Sequence, residues 1–244
     1  MSTSVYGLIG KSLGHSFSKQ FFTEKFSKEG IAAEYNNYEL SSIQEIKHVF
    51  EIENLEGLNV TIPYKTSVIE YLDEIDDLAL KIGAVNTIAF RNGKTIGYNT
   101  DAYGFQQSIK PFLRNVHERS LILGTGGASK AVAHVLVNLG IDVAFLTRNP
   151  IASNHFGYEQ ANDRMMRAFK LIVNTTPLGT FPNTDEIPPI PTEYFTPEHL
   201  VVDLIYNPEK TKLVSLAEAS GADILNGYSM LQHQALKAWE HFNG

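Results

Sequence analysis

The segment Ser120-Leu-Ile-Leu-Gly-Thr-Gly-Gly-Ala-Ser-Lys-Ala-Val-Ala-His-Val-Leu-Val-Asn-Leu-Gly140 passes from an apolar run through a glycine turn into an amphipathic stretch without a spacer. Leu121, Ile122 and Leu123 have the continuous apolar character of a strand that a parallel sheet covers on both faces. Gly124, Gly126 and Gly127 follow at once. Ala131, Val132, Val135, Leu136 and Leu139 then recur at helical spacing, and Gly140 stands where a left-handed cap would fall. A strand, a glycine turn and a helix N-terminus together cradle a pyrophosphate, because free N–H groups and the positive dipole end face the anion while no side chain blocks its approach. The third small position holds Ala128 or Ser129 rather than glycine, so the motif needs its context. The strand at 142–147 supplies the second strand of a βαβ unit, and no acid for an adenosine ribose ends it. Thr147-Arg148-Asn149 instead places a guanidinium between a hydroxyl and an amide, which suits a 2′-phosphate and favours NADP. A surface arginine after a strand is the plain alternative for Arg148 alone.

A chain of 244 residues with 43% hydrophobic residues can build one large or two modest cores. Its net charge of −7 and lack of a long basic run argue against nucleic acid or an anionic membrane as partner, leaving a small molecule as the expected ligand. It has no cysteine, which removes disulfides, thiolate metal sites and a thiol nucleophile; no metal is expected. No apolar run approaches the roughly 20 residues of a membrane span, and the N-terminus has no basic start followed by an apolar core, so the cytoplasm is the expected compartment.

In chain order, 5–9 is a predicted buried strand, and the polar loop 10–18 leads into a helix ending before Gly30. Ser16 and Ser18 are suited to capping that helix, but two hydroxyls with His15 exceed what a cap requires. A strand over 34–39, a helix over 43–50 and a strand over 57–62 complete a βαβαβ pattern. Asn59 and Thr61 alternate on one face of the third strand, and Lys65 is predicted to begin a helix, where the dipole gives a cation no advantage. An acidic helix is predicted around 73–81. Two strands, 83–90 and 95–101, flank Asn92-Gly93, a hairpin signal. They carry Asn86, Thr87, Asn99, Thr100 and Asp101, the last also able to cap the next helix. A domain boundary is predicted near 102–104. Residues 151–169 show poor periodicity, with room for one short helix before an apolar strand at 171–173. Further strands are predicted at 199–206 and 222–225, with helices at 212–219 and 230–242. Gln234 projects from a helix whose packing face is Leu231, Ala235, Ala238 and Phe242.

These residues together resemble the shikimate dehydrogenase family over nearly the whole chain. The resemblance is carried by His15-Ser-Phe-Ser18, Asn59-Val-Thr-Ile-Pro-Tyr-Lys65, Gly83-Ala-Val-Asn-Thr87, Asn99-Thr-Asp101, Gly124-Thr-Gly-Gly-Ala128, Asn174-Thr-Thr-Pro-Leu-Gly179, Asp203-Leu-Ile-Tyr-Asn-Pro208 and Met230-Leu-Gln-His-Gln-Ala235, in the family's order. It implies an α/β fold: an N-terminal substrate domain, residues 1–102, completed by a C-terminal helix at 228–244, and an inserted Rossmann-like NADP-binding domain at 103–227, with the active site in the interdomain cleft. It further implies Lys65 and Asp101 as the catalytic pair, with Ser16, Ser18, Thr61, Asn86, Tyr206 and Gln234 around the substrate. Gly124, Gly126, Gly127, Ala128, Thr147, Arg148, Asn149, Thr175, Gly227 and Met230 would hold NADP. Oxidising a carbinol removes its hydroxyl proton as well as a hydride, which is why a positioned proton-transfer pair is needed; the sequence leaves open which member holds the proton.

The implied activity is the reversible NADPH-dependent reduction of 3-dehydroshikimate to shikimate, in aromatic amino acid biosynthesis, by a monomer or homodimer. A quinate/shikimate dehydrogenase with relaxed use of NAD and NADP, or a non-catalytic ligand-sensing homologue, are the alternatives; Arg148 speaks against the first and the retained Lys65 and Asp101 against the second. Ser12 and Lys19 stand where the family has prolines, which removes two backbone constraints from the first loop, and Phe181 stands where a methionine-containing loop is common. Ala152 falls where a second basic residue often grips the 2′-phosphate, softening the expected NADP preference. Gly104 and Gly227, at the two domain joins, are the candidate points of movement, with a static turn as the alternative.

Overall fold

The computed structural model describes residues 3–14 and 16–244, and the chain divides into two compact units, residues 1–103 with 234–244 and residues 104–233. In the first unit, β1 (Ser4–Gly10) leads to α1 (Phe17–Glu29), which Ser16 caps by accepting the Lys19 N–H at 3.1 Å. β2 (Ala33–Glu39), α2 (Ile46–Phe50) and β3 (Leu55–Val60) follow, then the two-residue β4 (Glu74–Ile75), α3 (Asp77–Ile82), β5 (Thr87–Arg91), β6 (Lys94–Tyr98) and α4 (Asp101–Ile109). The sheet order is β2-β1-β3-β5-β6-β4. β1 pairs in parallel with β2 and β3, whereas β3–β5 and β5–β6 are antiparallel. The β5–β6 turn is Asn92-Gly93, with φ of 52° and 75°, as a primed hairpin turn requires.

The second unit contains β7 (Arg119–Leu123), α5 (Gly127–Asn138), β8 (Asp142–Leu146), β9 (His155–Phe156), α6 (Asp163–Ala168), β10 (Leu171–Asn174), β11 (Leu200–Asp203), α7 (Lys212–Ala219) and β12 (Asp223–Leu225). The chain then enters α8 (Tyr228–Asn243), whose last part belongs to the first unit. All five strand pairings in the second sheet are parallel, in the order β12-β11-β10-β7-β8-β9. That order is the doubly wound one, and its direction reverses between β7 and β10, so the loops after those two strands flank the switch point where such sheets take their ligands.

Each unit has its own core. One face of the first sheet buries Ile9, Ile46, Leu58, Val68 and Ile88. The other face carries an aromatic cluster in which Tyr6, Phe22, Phe26 and Tyr35 meet Trp239 and Phe242 from α8. Gly57 in β3 makes room for the Phe242 ring, which lies where a Cβ would stand. The second core joins Leu121, Leu123, Leu146, Ile172, Val201 and Leu213 across the sheet and α7. Among the described residues no helix is long and apolar enough to cross a membrane.

Several predicted elements shift. Lys65 does not begin a helix: residues 62–66 form a turn, followed by a 3-10 segment at Ser67–Tyr71. The Lys65 carbonyl accepts the distant Val85 N–H at 2.7 Å, which takes it out of any local helical ladder. Nor is 73–81 one helix. The Asp73 carboxylate takes the backbone and hydroxyl of Thr95 at 2.8 and 2.9 Å, Glu74–Ile75 pairs with Ile96–Gly97, and the helix starts only after Asp76 caps it. The stretch 151–169 contains β9 as well as α6.

Candidate functional sites

In the first unit, the loop after β3 carries Lys65 and the start of α4 carries Asp101, and Lys65 Nζ meets Asp101 Oδ2 at 2.7 Å. The pair is largely withdrawn from water, with side chains 14% and 6% exposed. Asp101 does not cap α4, since Asn99 Oδ1 accepts the Ala102 N–H at 3.1 Å; the second carboxylate oxygen of Asp101 accepts from Asn86 Nδ2 at 2.9 Å. Asn86 is fixed in one orientation because its Oδ1 takes the Thr100 backbone N–H at 2.7 Å, a group that can only donate. Its Nδ2 therefore faces Asp101, Thr100 Oγ1 at 3.0 Å and Gln234 Oε1 at 3.1 Å. Gln234, from α8, is buried at this point.

Of the residues implied for the substrate, Lys65, Asn86, Asp101 and Gln234 are thus joined directly. Ser18 lies buried in the first turn of α1; beside the group, Tyr35 donates to Asn59 Oδ1 at 2.8 Å, and Asn59 Nδ2 donates to Thr87 Oγ1 at 3.3 Å, which donates to Asn86 Oδ1 at 3.2 Å. Ser16 caps α1 through its oxygen, which leaves its O–H proton available as a donor. Thr61 lies just past β3, half-buried, with its backbone N–H on Ile9 O at 2.9 Å. His15 lies outside the described residues. Tyr35 was not singled out from the sequence, where it is one tyrosine in the polar strand Ala-Glu-Tyr-Asn-Asn-Tyr-Glu.

In the second unit, β7 is followed by Gly124, whose φ of 95° favours glycine and whose Cβ would crowd Thr175 and Thr176. Gly126 is the N-cap of the twelve-residue α5, no atom stands within 4 Å of where its Cβ would be, and the helix has no acid in its first turn. Gly127 and Ala128 open the helix, while the buried Ser129 turns its hydroxyl back on Gly126 O at 2.6 Å. Thr175 is tied to the strand below the turn, its N–H and hydroxyl both on Leu123 O, at 3.0 and 2.7 Å. After β8, Thr147 is buried and accepts the Asn149 N–H at 3.3 Å; Arg148 and Asn149 are exposed. The Arg148 charge pulls the Tyr158 phenol down against the larger upward effect of burial. An open helix N-terminus with a cationic side chain beyond the next strand fits a dinucleotide carrying a 2′-phosphate.

The remaining implied residues also fall in this unit. Tyr206 follows β11, partly exposed. Gly227 precedes α8 and Met230 lies buried in its first turn; the Leu204 carbonyl occupies the place of a Gly227 Cβ, so close backbone approach accounts for that glycine, while Gly104 lies within α4. Supporting residues that the sequence did not single out include Asp203, which accepts from Asn174 Nδ2 at 3.0 Å, Ile205 N–H at 3.1 Å and Thr211 Oγ1 at 2.6 Å. Asn174 in turn holds Thr176, so the loop after β10 hangs from the end of β11. Burial pushes the Asp203 carboxyl up to about 6.

The strand order and the glycine turn place the chain among the dinucleotide-binding α/β proteins. The family model for the shikimate dehydrogenase substrate binding domain matches residues 8–88. The shikimate dehydrogenase (NADP(+)) of Methanosphaera stadtmanae is 36% identical, over 99% of this chain and 92% of the relative. The crystal structure of shikimate dehydrogenase from Aquifex aeolicus superposes with a TM-score of 0.89 at 34% identity, covering 99% of this chain and 93% of that one. The Thermus thermophilus enzyme, solved in complex with NADP(H) and shikimate, gives 0.85 at 29% identity over 99% and 94% of the two chains. The chain belongs to the shikimate dehydrogenase family.

Proposed function

We propose that the protein interconverts shikimate and 3-dehydroshikimate with NADP, the observation that carries the reading being the Lys65–Asp101 pair at 2.7 Å, tied through Asn86 to Gln234. In this reading the first unit holds the substrate. Ser16 and Ser18 donate to its carboxylate, and Thr61, Asn86 and Gln234 surround its hydroxyls. Lys65 and Asp101 stand at the reacting hydroxyl: as the carbinol carbon gives up its hydride, the pair takes the hydroxyl proton, and in reduction it returns one. Asp101 keeps the Lys65 ammonium aimed, and Asn86 keeps Asp101 aimed, so the proton acceptor is positioned before the reaction begins.

Gly124, Gly126, Gly127 and Ala128 would hold the NADP pyrophosphate at the N-terminus of α5, and Thr147, Arg148 and Asn149 its 2′-phosphate. NADP supplies the hydride acceptor. Steady-state assays of the purified chain with shikimate and with quinate, each with NADP⁺ and with NAD⁺, test the reading. Efficient turnover confined to shikimate with NADP⁺ is expected; preference for quinate or NAD⁺ would replace it with the relaxed alternative, and no turnover with any pair would refute it.

A further inference from the structure

Asn174 closes β10 and Asp203 closes β11, paired in register and both fully buried. The residues before them in each strand are apolar and equally buried, so packing alone asks for hydrocarbon at these two places as well. A buried amide and carboxyl are costly there unless they are hydrogen-bonded. Asp203 Oδ1 accepts from Asn174 Nδ2 at 3.0 Å and from the Ile205 N–H at 3.1 Å, while Oδ2 accepts from the Thr211 hydroxyl at 2.6 Å. With its Nδ2 committed to Asp203, Asn174 turns Oδ1 to the loop that follows and takes the N–H and hydroxyl of Thr176 at 3.0 and 2.7 Å. Thr176 in turn rests on the glycine turn: its Cγ2 lies 3.0 Å from where a Gly124 Cβ would stand, and Thr175 Oγ1 lies 3.2 Å from it. A continuous path of contacts thus runs from a buried carboxyl to the turn proposed to hold the pyrophosphate.

The strand order says which half of the cofactor this path serves. β7 lies between β8 and β10. With the pyrophosphate at the turn after β7 and the 2′-phosphate at Arg148 after β8, the adenosine half extends over β8, and the nicotinamide half is left to β10. We infer that Asp203 is a positioning residue for the nicotinamide half of NADP: through Asn174 it fixes the loop after β10 against the glycine turn. The inference rests on the proposed NADP site. Being fully buried, Asp203 acts on the loop rather than on the cofactor. The role also accounts for an acid kept where burial pushes its carboxyl up to about 6.

The test compares two ligands by titration calorimetry: NADPH, and adenosine 2′,5′-bisphosphate, which carries the 2′-phosphate but no nicotinamide. Asp203→Leu leaves Asn174, Ile205 and Thr211 without their acceptor. It should weaken NADPH binding about tenfold, because the ligand must then order a loop that the hydrogen bonds no longer hold, and leave bisphosphate binding within about twofold of wild type. Asp203→Asn keeps an oxygen facing Asn174 and Ile205 and should restore NADPH binding. Asn174→Ala cuts the same path one residue further along while Asp203 keeps its bonds from Ile205 and Thr211. It should reproduce the loss confined to NADPH, and it carries the test if Asp203→Leu does not fold. Equal losses with both ligands, unchanged NADPH binding in either folded variant, or a loss in Asp203→Asn as large as in Asp203→Leu would each overturn the inference. Failure of the wild-type protein to bind NADPH would instead remove the cofactor reading beneath it.

Discussion

Lys65 keeps 14% of its side chain open to solvent and directs its ammonium at Asp101, in a part of the first unit where neighbouring amides and hydroxyls are already satisfied by one another. A cation needed only for folding has no reason to be so placed, since an exposed ion pair contributes little and a withdrawn one costs desolvation. Lys65→Ala is therefore expected to lower kcat by roughly 10²- to 10⁴-fold, the usual worth of a positioned proton-transfer group, with only a few-fold change in the KM for shikimate. Steady-state kinetics with a melting control check this; near-normal kcat with a raised KM would make Lys65 a binding group alone. Arg148 differs, being exposed after β8 and free of such packing. If it meets the 2′-phosphate, Arg148→Ala should raise the KM for NADP⁺ roughly 10- to 100-fold and leave the KM for NAD⁺ almost unmoved, because charge-assisted bonds to phosphate are lost from one cofactor only. Equal losses with both would place the side chain elsewhere.

The elements most legible in the sequence are those that a local pattern determines. Leu121–Leu123 with its glycine turn, α7 over Lys212–Ala219 and the Asn92-Gly93 hairpin stand where apolar period and turn chemistry put them. What was not legible depends on distant partners. The turn at Lys65 exists because its carbonyl is taken by Val85, β4 because Thr95 holds Asp73, and the cap of α4 falls to Asn99 because Asp101 is engaged by Lys65 and Asn86. The same holds for the site: Lys65, Asn86, Asp101 and Gln234 were nameable from motifs, but Tyr35 only from its burial and its hydrogen bond to Asn59. Gly227 shows how a residue's reason changes with structure. Backbone freedom is the sequence-level reading, yet the Leu204 carbonyl fills the place of its Cβ. Gly227→Ala should accordingly destabilise the connection from β12 into α8 by about 1–3 kcal/mol, the usual cost of overpacking against atoms that cannot move aside. Urea unfolding measures it, and a neutral or stabilising result would restore the freedom-based explanation.

At the scale of the whole molecule, stability depends on a few buried ionisable groups of the second unit that pull in opposite directions with pH. Burial pushes His117 and His199 down, so their neutral forms favour the fold above the ordinary imidazole range and that contribution is lost as pH falls. Asp203 has the opposite sign. Its folded carboxyl lies at about 6 against an ordinary 3.8, so between those values the folded state binds the proton that the unfolded state has released, and stability falls as pH rises. The difference of about two units corresponds to about 3 kcal/mol at neutral pH, a cost accepted at the residue that ties Asn174, Ile205 and Thr211 together beneath the loop after β10. Comparing wild type with Asp203→Asn isolates this effect, because the histidines are common to both chains. An asparagine keeps the volume and the oxygen facing Asn174 and Ile205, and its amide can donate to Thr211. Relative to wild type, the variant should gain stability as pH rises from about 4 to about 6 and hold that gain above it, read from urea unfolding at each pH. A stability difference constant across that interval would mean that Asp203 is ionised in the fold at no cost, its three hydrogen bonds having fully replaced water.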